Sequence, residues 1–165
     1  MSTASPAHLP PLGAHAREAV AGELQATLVE LIDLSLIGKQ LHWSVVGPHF
    51  RSLHLQLDEL VASWRELADT VAERTVTIGS WPDGQAGAVS SRSELHGVQR
   101  GAIGDHVVVD RLARMLADVG ERIRERMDRI GELDAVSEDV LIDVLRALEE
   151  QLWMVRAQLP HGGGG

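Results

Sequence analysis

Residues 42–74 read HWSVVGPHFRSLHLQLDELVASWRELADTVAER. Gly47 closes whatever helix precedes it, and Pro48 suits the first turn of a new one. With side chains set about 100° apart, Leu53, Leu57, Leu60, Trp64, Leu67, Val71 and Ile78 fall in one apolar stripe. His54, Asp58, Asp69 and Glu73 fall in a narrower stripe, roughly 145° round the helix by the same arithmetic. The helix running from about Pro48 to Ile78 therefore has two faces. One packs against its own domain. The other carries a histidine and three carboxylates and points away from that core.

The spacing inside the polar face restricts what it can do. His54 and Asp58 are one turn apart, as are Asp69 and Glu73, so each pair can grip one ion. The pairs themselves are separated by roughly 22 Å of helix. One helix cannot bring both to the same metal. Two copies, antiparallel across a two-fold axis, set His54 and Asp58 of one against Asp69 and Glu73 of the other, and two identical sites form together. His42, just before the Gly47–Pro48 break, can fold back toward His54. Imidazoles and carboxylates without thiolates suit a divalent first-row ion such as iron, manganese or zinc. Acids and a histidine at helical spacing are also, and more commonly, what a solvated face looks like. Arg65 on the same face could neutralise the carboxylates with no metal present.

Outward from this stretch, a first helix is expected from about Ala16 to Val45, with Leu24, Leu28, Leu31, Ser35, Gly38 and His42 on its buried stripe. Residues 1–16 are rich in Pro, Ala and Ser and read as a tail that includes His8 and His15. On the far side, residues 79–93 are dense in turn formers and long for a bundle connection, so the segment is expected to cross the length of the bundle. Residues 93–98 can hold a short helix. Helix three begins near Asp105 as N-cap, buries Val108, Leu112, Met115, Val119, Ile123 and Ile130, and ends at Gly131. Its outer side is charged, with Glu121, Arg122, Arg124, Glu125, Arg126, Asp128 and Arg129. Ser137 is expected to cap helix four, which runs to about Leu159 with Leu141, Val144, Leu148, Leu152, Val155 and Leu159 inward. Residues 160–165 are a Gly-rich end. The expected organisation is one all-α domain, a four-helix bundle over 17–159.

Composition agrees. The 165 residues are 44% apolar, but aromatics reach only 3%, with one Phe and no Tyr, which fits Leu/Val/Ala-packed helices. There is no cysteine, so disulfide frameworks and thiolate sites are excluded. No secretory signal and no membrane-spanning run is present, and a cytoplasmic location is expected.

The pattern H-W-S-V-V-G-x-x-F-x-x-L-H-x-x-L-D-E, eleven residues from Asp58 to Asp69, and A-E-R resembles the Dps family, the miniferritins of the ferritin-like superfamily. The likeness runs from about Leu24 to Leu159. It implies a ferritin-like four-helix bundle with a short helix in the long connection between helices two and three, assembled into a hollow homododecamer of two-fold dimers. It also implies ferroxidase activity, in which ferrous iron is oxidised by hydrogen peroxide or dioxygen at inter-subunit sites and ferric product is stored inside, protecting against oxidative stress. The implied ligands are His42, His54 and Asp58 of one subunit with Asp69 and Glu73 of its mate. Trp43 matches a tryptophan beside the iron and is the expected electron donor if a site holds one iron. Ser44 departs from the Asn common there, at a position that is not a ligand. In such cages acids at the start of helix four line three-fold pores. Here these are Asp134, Glu138, Asp139 and Asp143, which a helix N-terminus favours in any case.

Two other readings compete. A DNA-compacting nucleoid protein would need phosphate-binding Lys and Arg. This chain has one lysine, Lys39, no basic residue before Arg17 and a formal charge of −9, which argues against direct DNA binding. A larger ferritin would place metal within each bundle through Glu-x-x-His pairs, and no histidine here has a glutamate three residues before it.

Overall fold

A computed structural model of the chain describes residues 8–159. Residues 1–7 of the expected tail and the 160–165 end lie outside that range. The elements are α1 (Ala14–Ser44), β1 (Val45–Val46), α2 (Phe50–Thr77), α3 (Ala86–Arg92), β2 (Ile103–Gly104), α4 (Asp105–Ile130) and α5 (Ala135–Arg156). The fold is the expected all-α, ferritin-like bundle. Two helical hairpins, α1–α2 and α4–α5, pack face to face.

Each expected stripe turns inward. Leu24, Leu28, Leu31, Ser35, Gly38 and His42 are buried on α1, and Leu53, Leu57, Leu60, Trp64 and Val71 on α2. The α4 and α5 stripes join them in one core. Gly38 lets α1 approach α2 closely, because a Cβ there would stand 2.6 Å from the Trp64 ring. The buried Trp64 indole N–H donates to Gln151 Oε1 across the bundle at 2.8 Å. α2 ends with Gly79 at φ 85°, whose N–H donates to Val76 O while Ser80 N–H reaches Thr75 O. This closure satisfies carbonyls that the helix end would leave open.

The long connection does cross the bundle. It leaves beside the start of α1, where Arg17 Nε donates to the Ile78 carbonyl. It returns at the opposite end, where β2 pairs in parallel with β1, Val45 with Ile103 and Val46 with Gly104. Its helix lies at Ala86–Arg92 rather than at 93–98. Ala88 and Val89 supply the buried face, and Gln25 pins the approach by bonding both the N–H and the carbonyl of Asp83. Turn-forming residues hid that helix from sequence reading.

Other details depart from expectation. α1 starts at Ala14, and the preceding residues dock on the bundle, with Leu12 against the core and Leu9 beside Gly79. Gly104, not Asp105, is the N-cap of α4. Asp134, not Ser137, is the N-cap of α5, and its carboxylate accepts the Ser137 N–H. Arg126 is not on the outer face. It is 3% exposed and pairs with the buried Glu30 at 2.6 Å, while Arg122 holds the other Glu30 oxygen.

Candidate metal centre

His42 closes α1 and His54 sits in the first turns of α2, so the two are brought together by the turn between those helices. Their rings stack at 3.6 Å between centroids, tilted by 21°. His42 Nδ1 lies 2.9 Å from the His54 carbonyl and His54 Nδ1 lies 2.9 Å from the His42 carbonyl. A carbonyl oxygen only accepts, so each Nδ1 carries the proton. In the neutral imidazole this leaves Nε2 as the lone pair, the form that ligates a metal. Sequence alone suggested the meeting of the two rings but not this reciprocal tie.

Asp58 follows one turn after His54, half-exposed, with Oδ1 3.4 Å from His42 Nδ1. The same oxygen accepts from Lys39 Nζ at 2.6 Å. That bond outweighs the effect of burial and, with the nearby imidazoles, holds the Asp58 carboxyl below its usual range. The cation on the carboxylate is therefore Lys39 rather than Arg65. Lys39 also lies 5.8 Å from the Trp43 ring centroid, and Trp43 is 70% exposed. Asp69 and Glu73 are exposed further along α2, roughly 16 and 22 Å of helix beyond Asp58. Among the described residues of one chain, no three His, Asp or Glu side chains come close enough to hold an ion. A single chain thus carries His54 with Asp58 and Asp69 with Glu73 at two heights on α2.

Residues 21–162 match the family model of the ferritin-like domain. The DNA protection during starvation protein of Mycolicibacterium smegmatis is 38% identical over 147 residues, covering 88% of this chain and 79% of that protein. The protein of the same description in Agrobacterium fabrum is 32% identical over 149 residues, covering 90% and 92%. Among solved structures, Mycobacterium smegmatis Dps superposes with a TM-score of 0.91 at 34% identity, covering 99% of this chain and 92% of that one. The chain belongs to the Dps family.

The remaining candidates of this Dps chain lie at the start of α5. Asp134 is engaged locally, accepting from Arg74 Nη2 at 2.6 Å and from the Ser137 hydroxyl at 2.5 Å. Glu138 lies beside Gly131, Asp139 is exposed, and Asp143 is exposed but paired with Arg146 at 2.6 Å. Glu138 and Asp139 are thus the two acids of the four that neither cap the helix nor pair. Two contributors escaped the sequence reading: Lys39, whose three-residue spacing from His42 was the available signal, and Asp105, whose partner lies 56 residues away. No helix among the described residues is long and apolar enough to cross a membrane.

Proposed function

We propose that this Dps protein is a ferroxidase that oxidises ferrous iron at sites shared by two subunits and stores the ferric product inside a hollow homododecamer. The observation that carries the reading is the pair of stacked imidazoles with bare Nε2 atoms, set one helical turn from Asp58. In the shared site His42, His54 and Asp58 come from one subunit and Asp69 and Glu73 from its two-fold mate. The neutral imidazoles bind ferrous iron without adding charge, and the carboxylates stabilise the ferric product. Hydrogen peroxide is the preferred oxidant. Two ferrous ions each give one electron, and one peroxide takes both with two protons, its O–O bond breaking to give two waters. No hydroxyl radical is released. Dioxygen is the slower alternative, and zinc and manganese compete for the same donors. Exposed Trp43 supplies the second electron when a site holds one iron. Asp139, with Asp143 and Glu138 near it and Asp134 behind, marks the entry path for iron.

DNA is protected chemically in this reading, not by coating. Twelve chains at −9 apiece carry −108, and one lysine per chain leaves little to release counterions from phosphate. The test is light scattering combined with a ferrous oxidation assay, with and without peroxide. A dodecamer that consumes about two ferrous ions per peroxide is expected. A stable monomer at physiological salt, or no oxidation above the buffer rate, overturns it. A gel with chelator present checks the second half: metal-independent retardation of duplex DNA at ordinary salt would favour the DNA-compacting alternative.

A further inference from the structure

Both histidines flank one short turn, and that turn is held by a part of the chain remote in sequence. Because each imidazole is tied to the other residue's carbonyl, the distance and tilt between the rings follow the placement of the end of α1 against the start of α2. The turn sets that placement. It is anchored to α4 in three ways. β1 pairs with β2 immediately before α4. Asp105 Oδ2 accepts the His49 N–H at 2.8 Å, while Oδ1 accepts the His106 N–H at 2.8 Å, so the carboxylate is fixed to its own helix as well. Gly47 packs on that carboxylate at φ 129°, and a Cβ there would meet Asp105 Cγ at 2.8 Å. Asp105 is 7% exposed, so water cannot readily replace it.

We propose that Asp105 is a positioning residue for the metal centre, clamping the 45–49 turn so that the His42 and His54 rings present a fixed bite to a divalent ion. The inference rests on the ferroxidase reading above. A pre-set ligand pair loses little conformational freedom when an ion arrives, and a pair that must be ordered first binds more weakly. Asp105 touches no ion itself. Its effect passes through His49, Gly47 and the turn, as outer-shell partners act through the ligands they orient.

The test uses the assembled full-length particle and two readouts, cobalt(II) titration followed by its d–d absorption and ferrous oxidation against iron concentration. Asp105→Ala is expected to weaken cobalt binding about tenfold, the lower end for an outer-shell partner. The half-saturating iron concentration should rise similarly while the plateau rate changes less. Asp105→Asn keeps an oxygen for the His49 N–H and should recover much of the loss. Gly47→Ala should act in the same direction. Combined with Asp105→Ala it should cost less than the sum, since its clash with the carboxylate is gone. Ile123→Ala, roughly 27 Å further along α4, should lower stability and leave cobalt binding alone. Wild-type cobalt affinity in Asp105→Ala, or equal weakening in Ile123→Ala, overturns the proposal. If Asp105→Ala fails to assemble, wild-type affinity in both Asp105→Asn and Gly47→Ala overturns it. A wild-type particle that neither binds cobalt nor oxidises iron brings down the ferroxidase reading, and this inference with it.

Discussion

Lys39 and Asp58 show how one contact tempers a carboxylate proposed to hold metal. The ammonium already fills a cation position on Asp58 Oδ1, so an incoming ion must displace it or use the other oxygen. Lys39→Met removes that competitor and keeps most of the apolar stem. Calorimetric zinc titration should show binding several-fold tighter than wild type, in the range that a pair this exposed can contribute. Unchanged or weaker zinc binding would show that Lys39 supports the site instead of competing for it. The histidines are constrained differently. With Nδ1 of each committed to a carbonyl, backbone geometry decides that Nε2 is the nitrogen left available.

At the scale of elements, two polar devices hold helices in place. Asp134 caps α5 and joins it to α2 through Arg74. Burial pushes the Asp134 carboxyl up, but bonds from Ser137 and Arg74 push it down further, and the net shift is downward from 3.8. A carboxyl lowered in the folded state stabilises above its unfolded value and loses that contribution as pH falls through its folded one. Asp134→Asn keeps a cap oxygen but loses the charge facing Arg74, and should therefore cost about 1 kcal/mol at neutral pH, with the gap to wild type closing in urea melts as pH drops below 3.8. A gap that widens on acidification would refute the linkage. The second device is the Glu30–Arg126 pair, which joins α1 to α4 inside the bundle. Glu30→Ala leaves the Arg126 and Arg122 guanidiniums short of their shared partner and should destabilise by about 3–5 kcal/mol, whereas replacing all three, Glu30→Leu with Arg122→Leu and Arg126→Met, should stay near wild type. Guanidinium midpoints of the three particles decide this. Equal losses in both variants would mean that the pair itself, and not the orphaned charge, matters.

At the scale of the whole molecule, the proposed shared site requires a partner subunit, because His54 with Asp58 and Asp69 with Glu73 stand at two heights on α2. Asp58→Ala and Glu73→Ala damage opposite halves. In a mixed two-fold dimer one site loses both changed residues and the other keeps both wild-type halves. Co-refolded particles should therefore regain roughly half of the wild-type ferrous oxidation per mixed dimer, while each parent stays inactive. Correctly assembled mixed particles that remain inactive would remove the inter-subunit assignment. The exposed side chains near the half-sites, Leu36 at 56% and Trp43 at 70%, are apolar surface that such a contact would cover.

The periodicity of residues 42–74 determined most of the architecture, because the buried stripe and the polar stripe both follow the same 3.6-residue repeat. Every residue of the apolar stripe on α2 other than Leu67 is buried, and Asp58, Asp69 and Glu73 stand outside. Gly47 and Pro48 marked the turn that brings the two histidines together. Gly87, Ser90 and Ser91 disguise the short helix as a turn segment, and its buried face is only Ala88 and Val89, with Gln25 of α1 holding the approach at Asp83. A charge within a charged run looks solvated, so the local pattern places Arg126 outward. Only the packing of α1 against α4 supplies the Glu30 carboxylate that makes its burial tolerable. Lys39 on Asp58 and Asp105 on the 45–49 turn likewise depend on contacts 19 and 56 residues apart. Local pattern carries no information about such distances. The first is decided when the 45–49 turn folds α2 back along α1, the second when the connection from 79 to 104 crosses the bundle and sets the start of α4 beside the end of α1.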